Sequence, residues 1–497
     1  MISFRKIIYL SLFCPLGAIA QIAGAYAATD SLAADAASLS FANPALKPWL
    51  SESSLSSLSV GFAGERYNTA PVSYDGKGYG NAYFDASSYL RQGKSAITGH
   101  ASYSNGTRFG NKGCEVSDPE LLYPYFTADT IGGNMRSECY NFGGSYSSSF
   151  DGGNWIYGAE LHYRALMEYR QRDPRPKNTV GQLDFGASFG RRFGNYFVLL
   201  GAKAYKYSQS SSISFVSELG TVKVFHLTGP GFQYNRFAGS NRDVNYSGWS
   251  RGVSLSLWPK TEGAFATVTY DCLTLSKILK NINNLPVNKL TDNDVKAEFG
   301  WRRPASTATA YFSYSGRSGV ENIFGDPSGN VYPELFSLST YSREFFAGGV
   351  KYYHSFTFGK NNLSLLADLG YTSDTERYKG SNTPFRSRIE SLRPAVDVRW
   401  VKPCGSKFLV GLTAAVSDRI PLSHSITESA STDYFRQLAD SDYRMRAAHN
   451  LNAGVAGDLL CIISDKYALG LRLSYTYKDM KAPVDGNAYG AAVTLKF

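Results

Sequence analysis

The stretch WIYGAELHYRALMEYR, Trp155 to Arg170, decides the fold. Every second residue gives Trp155, Tyr157, Ala159, Leu161, Tyr163, Ala165, Met167 and Tyr169. The positions between them carry Glu160, His162, Arg164, Glu168 and Arg170. Successive side chains on a strand point to opposite faces, so this is a strand with one apolar and one polar face. It is also long: strands in soluble domains usually run to about 5–6 residues.

The same alternation fills YALGLRLSYTYK (Tyr467 to Lys478) and the terminal GNAYGAAVTLKF (Gly486 to Phe497). About eighteen such segments follow one another, with starts that include positions near 137, 180, 293, 343 and 442. Their connections alternate in length. RQGK, FDGGN, RFGN, WPKTEG and RRPAS are short and carry turn residues, whereas 105–136, 171–179, 211–244, 273–292 and 419–441 are long. Tight turns on one side and long loops on the other, with aromatics near the strand ends, describe an outer-membrane barrel. A sheet in lipid leaves no edge unpaired and therefore closes. The predicted fold is all-β: one closed antiparallel transmembrane β-barrel of about eighteen strands, range fourteen to eighteen, with a short N-terminal plug-like segment.

The composition agrees. Tyr (35), Phe (30) and Gly (48) are abundant, and the mean hydropathy is slightly negative. Beyond the first thirty residues no apolar run approaches the ~20 residues of a transmembrane helix. The chain starts with Arg5 and Lys6, an apolar stretch from Ile7, and then small residues. That order predicts a signal peptide over 1–27, cleaved after Ala20 or Ala27. Residues 28–55 lack strand alternation; a short helix over Ser31–Ser40 and a turn at Asn43-Pro44-Ala45 are expected there, in the periplasm or tucked into the lumen. Residues 56–497 form the barrel, and the location is the outer membrane.

Charge and cysteine content exclude several classes. The formal net charge is +10, but Lys and Arg are scattered without a basic block, which argues against nucleic-acid binding. Cys114, Cys139, Cys272, Cys404 and Cys461 show no metal-binding spacing; Cys114 and Cys139 either pair with each other or stay free. The scattered histidines give no metal site, and no cofactor is expected.

The polar strand faces hold the candidate functional residues. Glu160, His162, Arg164, Asp184, Lys296, Glu298, Asp368, Arg393, Asp397, Arg399, Arg444, Arg446, Arg472 and Lys478 are of mixed sign. Facing lipid, such charges would each be destabilising by about 2–4 kcal/mol at the bilayer midplane. They are expected to face the lumen, either lining a solute path or pairing with the plug. Two loop stretches stand out: DPRPKN (Asp173 to Asn178), read as a rigid outer-loop turn, and the aromatic-rich FHLTGPGFQYNRF (Phe225 to Phe237). The latter is either an exposed binding surface or a loop folded into the lumen.

HASYSNG (His100 to Gly106) invites comparison with outer-membrane phospholipases, which use an H-x-S dyad. A Ser–His pair forms an activated nucleophile. Here Tyr103 and Ser104 separate Ser102 from Asn105-Gly106, and no Asn or acid at the expected place supports the histidine, so no enzyme is expected.

Two family resemblances bear on the reading. FANPAL (Phe41 to Leu46) resembles the N-terminus of long-chain fatty-acid transporter barrels, which implies a hatch inside the lumen and a hydrophobic ligand. YRQRDPRPKNTVGQLDFG (Tyr169 to Gly186), ELLYPY (Glu120 to Tyr125) and VFHLTGPG (Val224 to Gly231) resemble a Bacteroidota outer-membrane barrel family of unknown function, domain of unknown function 6850. That likeness implies fold and location, not a reaction. The expected function is a channel or transporter for a small or hydrophobic solute. The alternatives are a non-conducting surface barrel whose loops bind a partner or glycan and, last, a lipid hydrolase. The apolar face of the terminal strand, Tyr489, Val493, Leu495 and Phe497, also resembles the signal read by the barrel-assembly machinery, an expected partner besides outer-membrane lipid.

Overall fold

The computed structural model describes residues 31–51, 53–217, 222–239, 243–329, 331–380, 384–427, 433–464, 466–481 and 484–497. The expected signal peptide lies outside them.

Eighteen antiparallel strands form one sheet that closes on itself. In chain order they are β1 (Leu55–Tyr67), β2 (Gly78–Gln92), β3 (Ser95–Asn111), β4 (Gly133–Phe150), β5 (Trp155–Tyr169) and β6 (Arg175–Phe193). Then come β7 (Tyr196–Ser214), β8 (Val244–Pro259), β9 (Gly263–Leu279), β10 (Leu285–Arg303), β11 (Ser306–Phe324) and β12 (Glu334–Phe358). The last six are β13 (Asn361–Tyr378), β14 (Phe385–Cys404), β15 (Phe408–Ile426), β16 (Asn450–Ser464), β17 (Tyr467–Met480) and β18 (Val484–Lys496). Each strand pairs with its sequence neighbours, and β1 pairs with β18.

The closing seam runs Leu58↔Leu495, Val60↔Val493 and Phe62↔Ala491. Phe497 extends it: its N–H donates to the Ser56 carbonyl (2.9 Å), and the Ser56 N–H donates back (2.7 Å). Apolar outward faces, such as Val60, Leu200, Val253, Leu471 and Leu473, are exposed on the barrel wall, as a lipid-facing belt requires. Near one periplasmic turn Trp155 stacks on Phe150 and Phe189, with centroids 6.2 and 5.0 Å away, part of an aromatic girdle. Pro394 sits mid-strand in β14. The ladder to β15 steps from Leu392↔Ile420 to Ala395↔Ser417 there, because proline has no N–H to give.

Several boundaries differ from the sequence reading. β4, β6, β10 and β12 start earlier than the alternation suggests. DPRPKN is therefore mostly strand: β6 begins at Arg175, and only Asp173 and Pro174 remain in the turn. Above the lipid, outward faces meet water and inward faces meet folded-in loops, so the apolar alternation fades before the strand ends. The larger correction concerns the segment expected to start a strand near 442. It is a helix, Tyr434–Ala447, and β16 begins at Asn450. Asp433 caps that helix by accepting from the N–H groups of Phe435 (2.9 Å) and Arg436 (3.4 Å). Arg444 and Arg446 therefore lie on this helix and not on the wall.

Before β1, the chain forms two short helices, Ser31–Asp35 and Ser38–Phe41, and a 3-10 turn, Pro44–Trp49. The expected single helix is thus split, and the segment tucks into the lumen.

Candidate functional site

The lumen is occupied from both ends. At the periplasmic end the N-terminal segment lies against the wall. Ala37, Ala45 and Leu46 pack on Ile156, Phe197, Leu199, Trp258 and Phe265. Phe41 meets the Trp258 ring edge-on at 5.0 Å, and Trp49 meets Phe197 at 5.2 Å. Gly158 makes this approach possible. A Cβ there would sit 2.5 Å from the carbonyl carbon of Pro44, so any larger residue pushes the plug backbone away.

Polar contacts fix the plug's register. The Ser40 N–H (3.2 Å), the Ser40 hydroxyl (2.8 Å) and the Leu39 N–H (3.2 Å) all donate to Glu298 on β10. Ser188 donates to Asn43 Oδ1 (2.5 Å) and accepts from the Ala45 N–H (3.1 Å). Thr309 donates to the Ala36 carbonyl (2.6 Å). Lys47 donates to the Phe41 carbonyl (3.1 Å); burial lowers its pKa, and Glu160 pushes back.

At the outer end three loops fold inward and share one apolar core. The loop after β3 contributes Cys114, Val116, Leu122, Tyr125 and Phe126; the loop after β7 contributes Leu227 and Phe237; the helix after β15 contributes Phe435. Thr127–Ala128 and the hairpin Phe225–Gly229 with Phe232–Gln233 make a three-stranded patch. The aromatics of FHLTGPGFQYNRF are part of this cap: Phe225 meets Phe435 at 5.0 Å, and Phe232 meets Tyr378 at 4.5 Å. They form a folded-in loop, not an exposed tip.

Ion pairs clamp this cap to the wall. Arg170 reaches Asp129 (2.5 Å) and Glu115 (3.3 Å), all three side chains buried. Burial and the neighbouring Asp129 push the Glu115 carboxyl well above the usual range, and Arg170 pulls it back. Arg164 is bidentate on Asp118 (3.0 and 2.5 Å). Arg317 is bidentate on Asp292 (both 2.8 Å) and donates to the carbonyls of Glu120 and Tyr123. Arg446 reaches from the helix to Glu376 (3.1 Å) and Asp374 (3.7 Å). Arg444 is exposed. Cys114 and Cys139 are both free thiols, and burial pushes Cys114 up to about 12.

The remaining sequence candidates are spread along the lumen wall. Glu160 lies 3.9 Å from His162. Asp184 accepts from Gln182 (3.0 Å), and Asp368 accepts from Tyr311 (2.9 Å). Lys296 shares the face of Glu298, two residues away; Arg393 and Asp397 share another face on β14. Arg399, Arg472, Asp458 and Lys496 line one polar recess of about 340 Å³. Arg472 pairs with Asp458 (3.3 Å), and Lys478 pairs with Glu65 (2.9 Å). The structure brings these together as local pairs, not as one constellation. The sequence reading missed the acids that hold the cap: Glu115, Asp118, Asp129, Asp292, Asp374 and Glu376. Asp292, Asp374 and Glu376 lie on strands, within reach of strand periodicity; the loop acids Glu115, Asp118 and Asp129 carry no local signal.

His100 has a partner that its local sequence does not reveal. Asp85 on β2 approaches its Nε2 at 2.9 Å, and Asn141 on β4 donates to Ser102 (3.2 Å). The acid missing from the motif is thus supplied across the sheet. Among the described residues no hydrogen bond joins His100 to Ser102.

This wall, plug and cap match a known family along nearly all of the chain. The family model of unknown function, DUF6850, matches residues 44–497. The chain belongs to DUF6850. No curated protein matches it. Among solved structures, the DUF6850 barrel is similar to BauA, the ferric preacinetobactin receptor from Acinetobacter baumannii, at 8% identity and a TM-score of 0.41, over 90% of this chain and 80% of that one. It is similar to a mutant of the ferric enterobactin receptor PfeA from Pseudomonas aeruginosa at 6% identity and a TM-score of 0.39, covering 89% and 81%. The copper transporter OprC gives 8% and 0.38, again over 89% and 81%. Likeness at this level fixes neither strand number nor ligand.

Proposed function

We propose that this DUF6850 barrel is a gated outer-membrane uptake protein for a small or partly hydrophobic solute, closed at rest and without an enzymatic role. One observation carries the reading: the periplasmic half of the lumen holds a short segment that rests on the wall through an apolar footing and separate polar anchors. Each such hydrogen bond is worth about 0.5–1.5 kcal/mol net. Glu298, Ser188, Thr309, Tyr89, Arg91 and Lys351 hold the plug through separate bonds of this kind, so a ligand or a partner that replaces several of them can release it. A purely structural barrel gains nothing from a displaceable plug. The lumen-wall charges line the path that opens when the plug moves. Outer-membrane lipid surrounds the barrel, and the barrel-assembly machinery inserts it.

The test is single-channel conductance in planar bilayers. The full protein should be nearly silent, and deletion of residues 31–51 should give discrete steps. A folded deletion variant that stays silent would show that the plug is not the gate and overturn this reading.

One feature favours a second reading, a surface barrel that binds a partner. The outer end of β12, Glu334–Ser339, pairs with β11 on one side, whereas its pairing with β13 starts only at Tyr341. Leu335, Phe336 and Leu338 are exposed there. An open strand edge with apolar side chains is a template for strand addition.

A further inference from the structure

The cations of this protein are distributed unevenly. In the outer half five arginines are matched: Arg164 with Asp118, Arg170 with Asp129, Arg317 with Asp292, Arg343 with Asp374, Arg446 with Glu376. The periplasmic end is different. The eight tight turns with their flanking residues are 91–95, 150–155, 191–196, 259–263, 302–306, 358–361, 402–408 and 464–467. They hold eleven Lys or Arg and three Asp or Glu, an excess of eight. The chain carries +10 in all, of which Arg5 and Lys6 supply two. The rest of the protein therefore sums to zero, and the whole excess sits on the periplasmic rim.

Part of that rim is concave. A vestibule of about 1000 Å³ opens below the plug, with Arg91, Lys94, Arg192, Lys260 and Arg302 in its lining and Trp49 at its inner end. Among the described residues Glu262 is the sole acid in the lining. Among the described residues, none of the five cations has a carboxylate partner. Arg91 donates instead to the plug carbonyls of Pro48 and Ser51, and Arg302 lies over the Trp258 ring at 5.3 Å. Like charges that converge on a cleft with a low-dielectric wall focus a positive potential into it. Among the described residues only Glu262 offsets that potential, which leaves the lining net positive and open to a counter-charge from outside.

We propose that this periplasmic vestibule is a binding site for a small polyanion that carries two or more carboxylate or phosphate groups. Guanidinium forks suit such groups geometrically, and Trp49 offers an apolar surface to the ligand's carbon skeleton. Binding is measured at equilibrium, so it stands or falls separately from transport.

The experiment titrates tripolyphosphate and citrate into the full-length protein in non-ionic detergent by calorimetry. Saturable one-site binding is expected, weakening as salt screens the site. Each of the pairs Arg192→Gln with Arg302→Gln, and Lys94→Gln with Lys260→Gln, should weaken it about tenfold. Arg377→Gln, at an exposed outer pair with Glu344, should leave it unchanged. Heat-modifiable migration checks that each variant is folded, and the exposed Lys94 and Lys260 give a pair that tolerates exchange. No saturable binding, or binding indifferent to both pairs, overturns the site. Nanodiscs with and without phosphatidylglycerol separate the other source of anions. If the variants change only lipid retention, the rim serves headgroups and the vestibule proposal fails.

Discussion

Glu298 on β10 accepts both the backbone N–H and the hydroxyl of Ser40, at 3.2 and 2.8 Å, so one wall carboxylate holds the plug by its backbone and a side chain together. Glu298→Ala leaves those donors and the Leu39 N–H without an acceptor. The change should weaken plug docking by about 2–4 kcal/mol. Brief conductance openings should appear that the full protein lacks. Glu298→Gln, which keeps one acceptor oxygen, should be intermediate. Equal silence in both variants would show that the plug is held elsewhere.

Arg170 is a buried cation of the wall against the cap, and the cap acids Glu115 and Asp129 surround it. Arg170→Met strands two acids in a dry site, which destabilises by about 3–5 kcal/mol. Proteinase K on intact cells should then cut the loop 112–132, which is packed away in the unmodified protein. Unchanged resistance would mean that apolar packing alone holds the cap.

Asp442 ties the outer helix to the first outer loop by accepting the Ser73 N–H (2.7 Å) and hydroxyl (2.6 Å). Burial pushes its carboxyl up to about 6, against those hydrogen bonds and the pull of Arg446; Asp75 adds to the rise. A raised acid favours the docked helix when protonated. The advantage is complete below the ordinary 3.8 and is lost as pH rises through about 6. Amide protection across 434–447, corrected for intrinsic exchange, should be higher at pH 5 than at pH 7, by on the order of 1–2 kcal/mol. Asp442→Asn should flatten that slope; a slope that survives the exchange assigns it to another group.

Phe497 completes the closing seam through two hydrogen bonds with Ser56. Its deletion removes both, together with the terminal aromatic on the lipid face. Outer-membrane levels of folded protein should fall several-fold, read by heat-modifiable migration in membrane fractions. Normal levels would dismiss the terminal residue as an assembly signal.

The wall was legible because lipid enforces a rule at every second residue. Leu471, Leu473, Tyr475 and Tyr477 obey it without exception, and they face outward. Where lipid ends, the rule ends: β12 starts at Glu334, yet its alternation is readable only from about 343. The helix Tyr434–Ala447 escaped for a different reason. Tyr443, Met445 and Ala447 alternate with Arg444 and Arg446, so a helix end imitates a strand. Asp433 ahead of an apolar Tyr434-Phe435 was the overlooked capping signal. The clamp of Arg170 on Glu115 and Asp129 joins a strand end to a loop. Neither periodicity nor spacing encodes such a meeting.

The shared core of the outer cap also has a consequence in time. Cys114, Leu227 and Phe435 belong to three loops far apart in the chain, and they bury one another. The first loop cannot finish folding until the last has crossed the membrane. A barrel that stalls midway would display an unfinished apolar surface to the outside world. The cap is thus a certificate of completion, written only when every hairpin is in place.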